Sequence, residues 1–288
     1  MSRPKKRKGG RVTPKGTGST RRPAPDGGSS APTPFGSFVD GPLSGPWDDD
    51  LDDDVVEGVP GAIGVAGDAI ASGHPVELLV LTSTLADAAD DSADEDITWS
   101  SVVELFTGTV RPETTALLHA LRPFAPDDWR TRMDAELAGR STPGLPDWIA
   151  RIGDVRVTGV WVNRDEATEF ADDDETDVFV VATWPHGQEM TFIANVVGQP
   201  NAVVEDALLA PVDLAAMSGA VATEADEPLE LVAVDAADAR AFLDAAAQRW
   251  DESSGEASED WPSGRPLLRW LLLTLPEGGE DRWPAAQS

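Results

Sequence analysis

The residues best suited to chemistry are a run of carboxylates and one histidine that follows it. Asp165, Glu166, Glu169, Asp172, Asp173, Asp174, Glu175 and Asp177 place eight acids in 13 positions. Hard oxygen ligands of this kind suit calcium or magnesium, and Asp172, Asp174 and Asp177 are the candidate metal ligands. The spacing is not that of an EF-hand loop, which needs alternating ligands, a central glycine and a distal glutamate. The plainer reading is a solvated loop. His186 lies further on, with Glu189 and Asp177 along the same segment, and histidine with carboxylates can support general acid–base work. No serine in a strained elbow accompanies it, so a turn histidine is the plainer reading there too. Gly58, Gly61, Gly64 and Gly67 recur every third residue, but no lysine follows and the pattern is neither a dinucleotide fingerprint nor a phosphate loop. They read as a loop leading into a close-packed helix of small residues.

Several chemistries are excluded by composition. The sequence has no cysteine, which removes disulfides, Cys-ligated zinc, iron–sulfur clusters and thiol nucleophiles. Its three histidines, His74, His119 and His186, are far apart. No cofactor is implied. The most apolar stretch, Leu267 to Leu275, is short for a membrane span, which needs roughly 20 apolar residues. Neither a secretory h-region nor a working twin-arginine signal follows the basic start, so the expected location is the cytoplasm.

Charge is distributed very unevenly. The formal net charge is -30. Residues 1–22 hold four lysines and five arginines with no acid, while the remainder holds thirteen arginines against all 52 acids, a net of −39. Every lysine lies in the first segment. A GC-rich genome explains the replacement of lysine by arginine elsewhere better than salt adaptation does, because salt adaptation gives no reason for lysines to gather in one tail. The cations Lys5, Lys6, Arg7, Lys8, Arg11, Lys15, Arg21 and Arg22 form the candidate binding set. Arms of this kind bind nucleic-acid phosphates by releasing counterions. No aromatic residue is interleaved, so base stacking is not expected there. The opening PKKRK resembles the short lysine-rich nuclear import signals of eukaryotic and viral proteins, a resemblance of only a few residues. An acidic protein is the other partner class. A third reading is an intramolecular contact, because a flexible segment of this length stays within roughly 40 Å of the acidic body.

The elements that must position these residues follow from periodicity. Residues 1–54 are expected to be a disordered tail, rich in Gly, Pro and Ser and ending in the acidic run at 48–54. Residues 55–152 read as mainly helical. Ala62, Ile63, Ala66, Ala69 and Ile70 form one stripe and Val76, Leu79, Val80 and Leu85 a second, with further helices over 98–106, 112–121 and 127–137 and around Trp148. The period changes at Gly153. Strands are expected near Val155–Val162, Val178–Trp184, Met190–Val197 and Asn201–Leu209, joined by the turn signals Pro185-His186-Gly187 and Gly198-Gln199-Pro200-Asn201. A short helix over 211–219, a strand over 229–234, a helix capped by Asp235 and a last helix over 265–275 complete the region 153–276, leaving 277–288 as a disordered C-terminus. Trp47, Trp261 and Trp283 fall in expected loops, where a partner could cover them. The fold class is therefore α+β: a helical N-terminal half, then an antiparallel β-meander with flanking helices, preceded by a disordered basic tail.

The start RVTPKG, the strand block DVFVVATW and MTFIANVV, and the closing RPLLRWLLLTLPEGG together resemble a group of uncharacterised proteins from high-GC Gram-positive (actinobacterial) bacteria. The resemblance implies a bacterial, cytoplasmic origin and no particular activity. On the residues, the leading expectation is a binding or regulatory protein rather than an enzyme, with the tail directed at nucleic acid or an acidic partner. The alternatives are a divalent-metal-dependent enzyme using the loop at 165–177, and an acidic body that mimics nucleic acid.

Overall fold

The change of period at Gly153 marks a real change of structure. The computed structural model describes residues 55–90, 97–141, 143–163, 175–198, 201–225, 229–252 and 261–281. The tail cations and Asp172, Asp174, Trp47 and Trp283 lie outside them. Before Gly153 come α1 (Val55–Ser72), α2 (Val76–Asp90), α3 (Trp99–Thr107), α4 (Pro112–Leu121), α5 (Asp127–Ala138) and the short α6 (Asp147–Ala150), followed by one 3-10 turn. After it come β1 (Arg156–Asn163), β2 (Glu175–Thr183), β3 (Glu189–Val197), β4 (Val203–Ala210), α7 (Leu214–Ala225), β5 (Leu231–Ala233), α8 (Ala236–Glu252) and α9 (Trp261–Leu272). The fold is α+β, as the sequence pattern implies.

The helical half is built on small residues and local caps. In α1 the buried stripe is Ala62, Ala66 and Ala69, three small side chains that allow close approach to α2 and α4. The four glycines at three-residue spacing lie inside this helix rather than in a loop before it. The alanine stripe supplies the packing that outweighs their low helix propensity. Gly73 ends the helix with φ 76° and returns its N–H to Ala69 O at 3.1 Å, a left-handed stop that favours glycine. Thr98 and Ser101 form a capping box on α3, and Pro112 starts α4, where its missing N–H costs nothing.

The strands form one antiparallel sheet in the order β4-β3-β2-β1-β5. The register shifts once in β1, between Val157 and Gly159, and once at Asn195/Val196 opposite β4. One face carries Val160, Val162, Val178, Val180, Phe192, Ala194 and Val204 beneath α8 and α9. The other face carries the cross-strand neighbours Trp161, Phe179 and Ile193. The Trp161 indole lies over Gly159, where any Cβ would collide with the ring. Thr191 on this face donates to Val212 O at 2.9 Å, just before α7, whose Met217 is buried.

The helical and sheet halves share one core. Helix α9 packs along α2 as well as β4, burying Trp261, Leu267, Leu268, Leu271 and Leu272, each apolar side chain contributing roughly 1.5–3 kcal/mol relative to exposure. Gly264 lets the α9 backbone rest on Ala207 of β4, with no space for a Cβ. Three boundaries differ from expectation. Helix α9 starts at Trp261, four residues early, because Pro262 fits a first helical turn. Trp261 is therefore a fully buried anchor instead of a loop residue. Helix α7 runs past Gly219 to Ala225. Residues 277–281, expected to belong to the C-terminal tail, lie against α8: Gly279 abuts the Ala237 backbone and Glu280 N donates to Asp238 Oδ1 at 3.0 Å. Among the described residues no helix is long and apolar enough to cross a membrane.

Candidate functional site

Among the described residues a concavity lies where α2, α5 and α9 converge. Its volume is about 170 Å³. Asp87 and Asp90 come from the last turn of α2, Phe124 from the α4–α5 connection, Arg130 from α5, and Arg265, Arg269, Trp270 and Leu273 from α9 and its end. The spacing 265, 269, 270, 273 puts the α9 residues on one helical face. Phe124 meets Trp270 edge to face at 5.6 Å, and Leu273 is 70% exposed.

The charges in this cleft are already matched. Arg265 Nε donates to Asp87 Oδ1 at 2.7 Å and Nη1 to Asp251 Oδ1 at 3.2 Å. Arg269 pairs with the other oxygen of Asp251. Burial works against the Arg265 charge, but Asp87 and Asp251 outweigh it and raise its pKa. Asp90 accepts from the Trp99 indole at 2.7 Å. Arg130 is held by Asp127 at 3.0 Å and by Ala125 O at 2.8 Å. An anionic ligand would have to displace a carboxylate from Arg130, Arg265 or Arg269. The physical reason for the network is local. Asp87 and Asp251 sit near the C-terminal ends of α2 and α8, where the helix dipole disfavours negative charge, and one guanidinium fork compensates both.

Of the sequence-predicted residues, Asp177, His186 and Glu189 are described, and Asp177 is not brought to the other two. Asp177 lies on β2 opposite Asn195, whose Nδ2 donates to it at 3.2 Å. Glu189 lies opposite Thr183 at the other end of the same strand pair, so about six residues, roughly 20 Å, separate Asp177 from the His186 turn. The grouping of His186, Glu189 and Asp177 is therefore corrected: an antiparallel hairpin carries residues near its tip away from those at its base. Among the described residues no three potential ligands cluster for a metal ion.

What His186 does meet is His74, from the α1–α2 joint, across Trp184. The Trp184 ring lies 6.0 Å from His74 and 6.3 Å from His186. Its indole N–H donates to Ile152 O at 2.8 Å. His74 Nε2 lies 3.2 Å from Glu189 O, and Val76 N donates to His74 Nδ1 at 3.2 Å. Gln188 bridges the two sides, with Nε2 on Gly73 O and Oε1 toward His186 Nε2. Burial first, and the nearby His186 second, lower the His74 pKa, with the Glu189 carbonyl opposing them.

Comparison of the chain with protein-family models, with curated proteins and with solved structures gives no match.

Sequence reasoning did not find two further clusters. Arg140, with a side chain 2% exposed, donates to Glu136, Thr114, Thr115 and Phe106 O, fastening α3, α4 and α5. Arg240 reaches Leu275 O at 2.6 Å and Arg249 reaches Ala202 O at 3.1 Å, fixing the segment after α9 and the start of β4 to α8. The available signal was the scarcity of cations: arginines in so acidic a body are candidates for internal ties.

Proposed function

We propose that the protein is a binding protein in which residues 1–22 engage a polyanion, nucleic acid in the first instance, while the acidic body sets the strength of that contact by competing for the same cations. The observation that carries this reading is the use of arginine in the body. Every arginine among the described residues except the exposed Arg111 and Arg156 is ion-paired to a carboxylate. The described part of the body therefore offers few uncommitted cations to a polyanion, whereas the sequence concentrates nine in the tail. The body repels nucleic acid and attracts the tail, so binding requires exchange of one polyanion for another.

The test is fluorescence anisotropy with labelled duplex DNA and single-stranded RNA across a salt series, for the full chain and a chain lacking residues 1–22. Engagement of all nine cations gives a log–log salt slope near roughly −8 on duplex DNA. Deletion of the tail abolishes binding. Equal and salt-insensitive binding by the two chains overturns the proposal. Binding by a basic protein to the truncated chain, lost at moderate salt, would favour instead the reading of the body as a nucleic-acid mimic.

A further inference from the structure

The contact between the β2–β3 hairpin tip and the α1–α2 joint has an assignable protonation state. A backbone N–H can only donate and a backbone carbonyl can only accept. Val76 N–H points at His74 Nδ1, so Nδ1 carries the lone pair, and Nε2 faces Glu189 O, so Nε2 carries the hydrogen. The neutral Nε2–H form of His74 therefore satisfies both partners at once. It supplies an acceptor to the first residue of α2, the position where helix amides lack internal partners, and a donor to the hairpin.

The protonated form cannot do this. A hydrogen on Nδ1 would face the Val76 N–H, two donors in opposition, and would put positive charge at the positive end of the α2 dipole. His186 behaves differently. Gln188 Nε2 is committed to the Gly73 carbonyl, which leaves Oε1 as the acceptor for His186 Nε2–H. His186 Nδ1 makes no hydrogen bond among the described residues, so the ring's hydrogen bond there is the one from Nε2. The neighbouring His186 opposes a proton on His74. Of the titratable groups on the packed elements, those nearest along the chain to His74 or to its carbonyl partner are Glu77 of α2, Asp68 of α1 and Glu189 of β3, while Asp87 and Asp90 lie at the far end of α2 and Asp177 at the far end of the β2–β3 pair. Glu77 has its pKa raised by burial and then by Asp68, and the Glu189 side chain is exposed, so none of them supplies a close counter-charge to the imidazole.

We propose that His74 is the pin of an acid-released clasp, which in its neutral form holds the β2–β3 hairpin to the start of α2 and on protonation frees both. Release uncovers Trp184, now 2% exposed, and unties the sheet from the helical half at one edge while α9 keeps the shared core intact. Below the ordinary histidine value of 6.5, the opening constant grows by up to about tenfold per pH unit until the closed-state pKa is passed.

With only three histidines, the full chain is suited to an NMR titration from about pH 8 to 4.5 that follows the imidazole C2–H signals with the Val76, Gln188 and Glu189 amides. His74 is expected to titrate below 6.5, and those amides to shift or lose protection with the same midpoint. In His74→Asn, whose side-chain carbonyl can accept from Val76 N–H but cannot ionise, that transition disappears. Titration of His74 at or above 6.5, amides that do not respond to it, or persistence of the transition in His74→Asn would overturn the proposal. Should that variant fail to fold, His186→Gln decides. Removing the neighbouring charge raises the midpoint of opening, and an unchanged midpoint refutes the coupling.

Discussion

Replacing Arg265 by methionine removes the guanidinium from the α2–α8–α9 junction and keeps much of its stem. In the native protein Arg265 contacts Asp87 at 2.5 Å and Asp251 at 3.2 Å and lies 6.0 Å from the Trp250 ring centroid. Breaking a fully buried pair costs about 3–5 kcal/mol, and an exposed one contributes about 0–1 kcal/mol. Here the side chains of Arg265, Asp87 and Asp251 are 19%, 14% and 26% exposed, which places the junction between those limits. The expected loss is about 2–3 kcal/mol, including about 0.3–1 kcal/mol because the two carboxylates sit at helix C-termini. For a protein of this size that lowers Tm by roughly 4–12 °C. Denaturant unfolding of Arg265→Met, Asp87→Asn and the double variant measures the coupling. Asp87→Asn should be much less destabilising once Arg265 is gone, with a coupling of about 1–2 kcal/mol. Coupling within about 0.3 kcal/mol of zero would show that solvent screens the junction and would refute its assignment as the tie between these helices.

Two further perturbations test the packing and the titration. Gly264→Ala places a methyl group against Ala207, so overpacking of about 1–3 kcal/mol should exceed the gain of about 1 kcal/mol in helix propensity. Calorimetry should show a lower Tm that the added change Ala207→Gly restores. Failure of that rescue would mean that α9 does not rest on β4 at this point. His119 has its pKa lowered by burial first and by Arg122 and Arg140 after it, with Asp134 opposing. A lowered histidine pKa means that the unfolded chain binds more protons below pH 6.5. Stability from this group is complete above that value and declines as pH falls through it. His119→Gln should flatten the pH dependence of unfolding free energy as pH falls below 6.5, by up to about 1.4 kcal/mol per pH unit. Slopes equal to those of the unaltered protein would refute it.

The fold was largely legible because its signals are local. The stripe Ala62, Ala66, Ala69, the unbroken apolar run Val178 to Ala182 and the Asp235 cap each act within a few residues. Asp235 Oδ1 accepts from Ala237 N at 2.9 Å and Asp238 N at 3.1 Å, as a capping residue should. The misread elements were those where tertiary burial overrides local preference. Gly58 to Gly67 look like a loop until α4 covers the alanine face between them. Trp261 looks like a loop anchor because the Ser- and Glu-rich segment before it masks a helix start. The site was less legible still. His74 and His186 stand 112 positions apart in the sequence, and nothing in either neighbourhood announces the other. Their meeting depends on the hairpin length and on the angle between α1 and α2, and neither is written in a short window.

Arginine and lysine are divided between the body and the first 22 residues. In the body, guanidinium groups repeatedly bond a carboxylate and a backbone carbonyl at once: Arg140 with Glu136 and Phe106 O, Arg240 with Glu277 and Leu275 O, Arg249 with Asp281 and Ala202 O. A planar fork of five donors does this from one position, whereas an ammonium is a compact point charge with a large hydration cost. Such arginines are lost to solvent as cations, and they leave the body's remaining carboxylates uncompensated. Lysine, poorly suited to those internal ties, is found only in residues 1–22. The sequence thus keeps its lysines apart from the arginines that tie the body together. A mutation that frees an arginine in the body should therefore weaken the helix junction or backbone tie that the arginine holds.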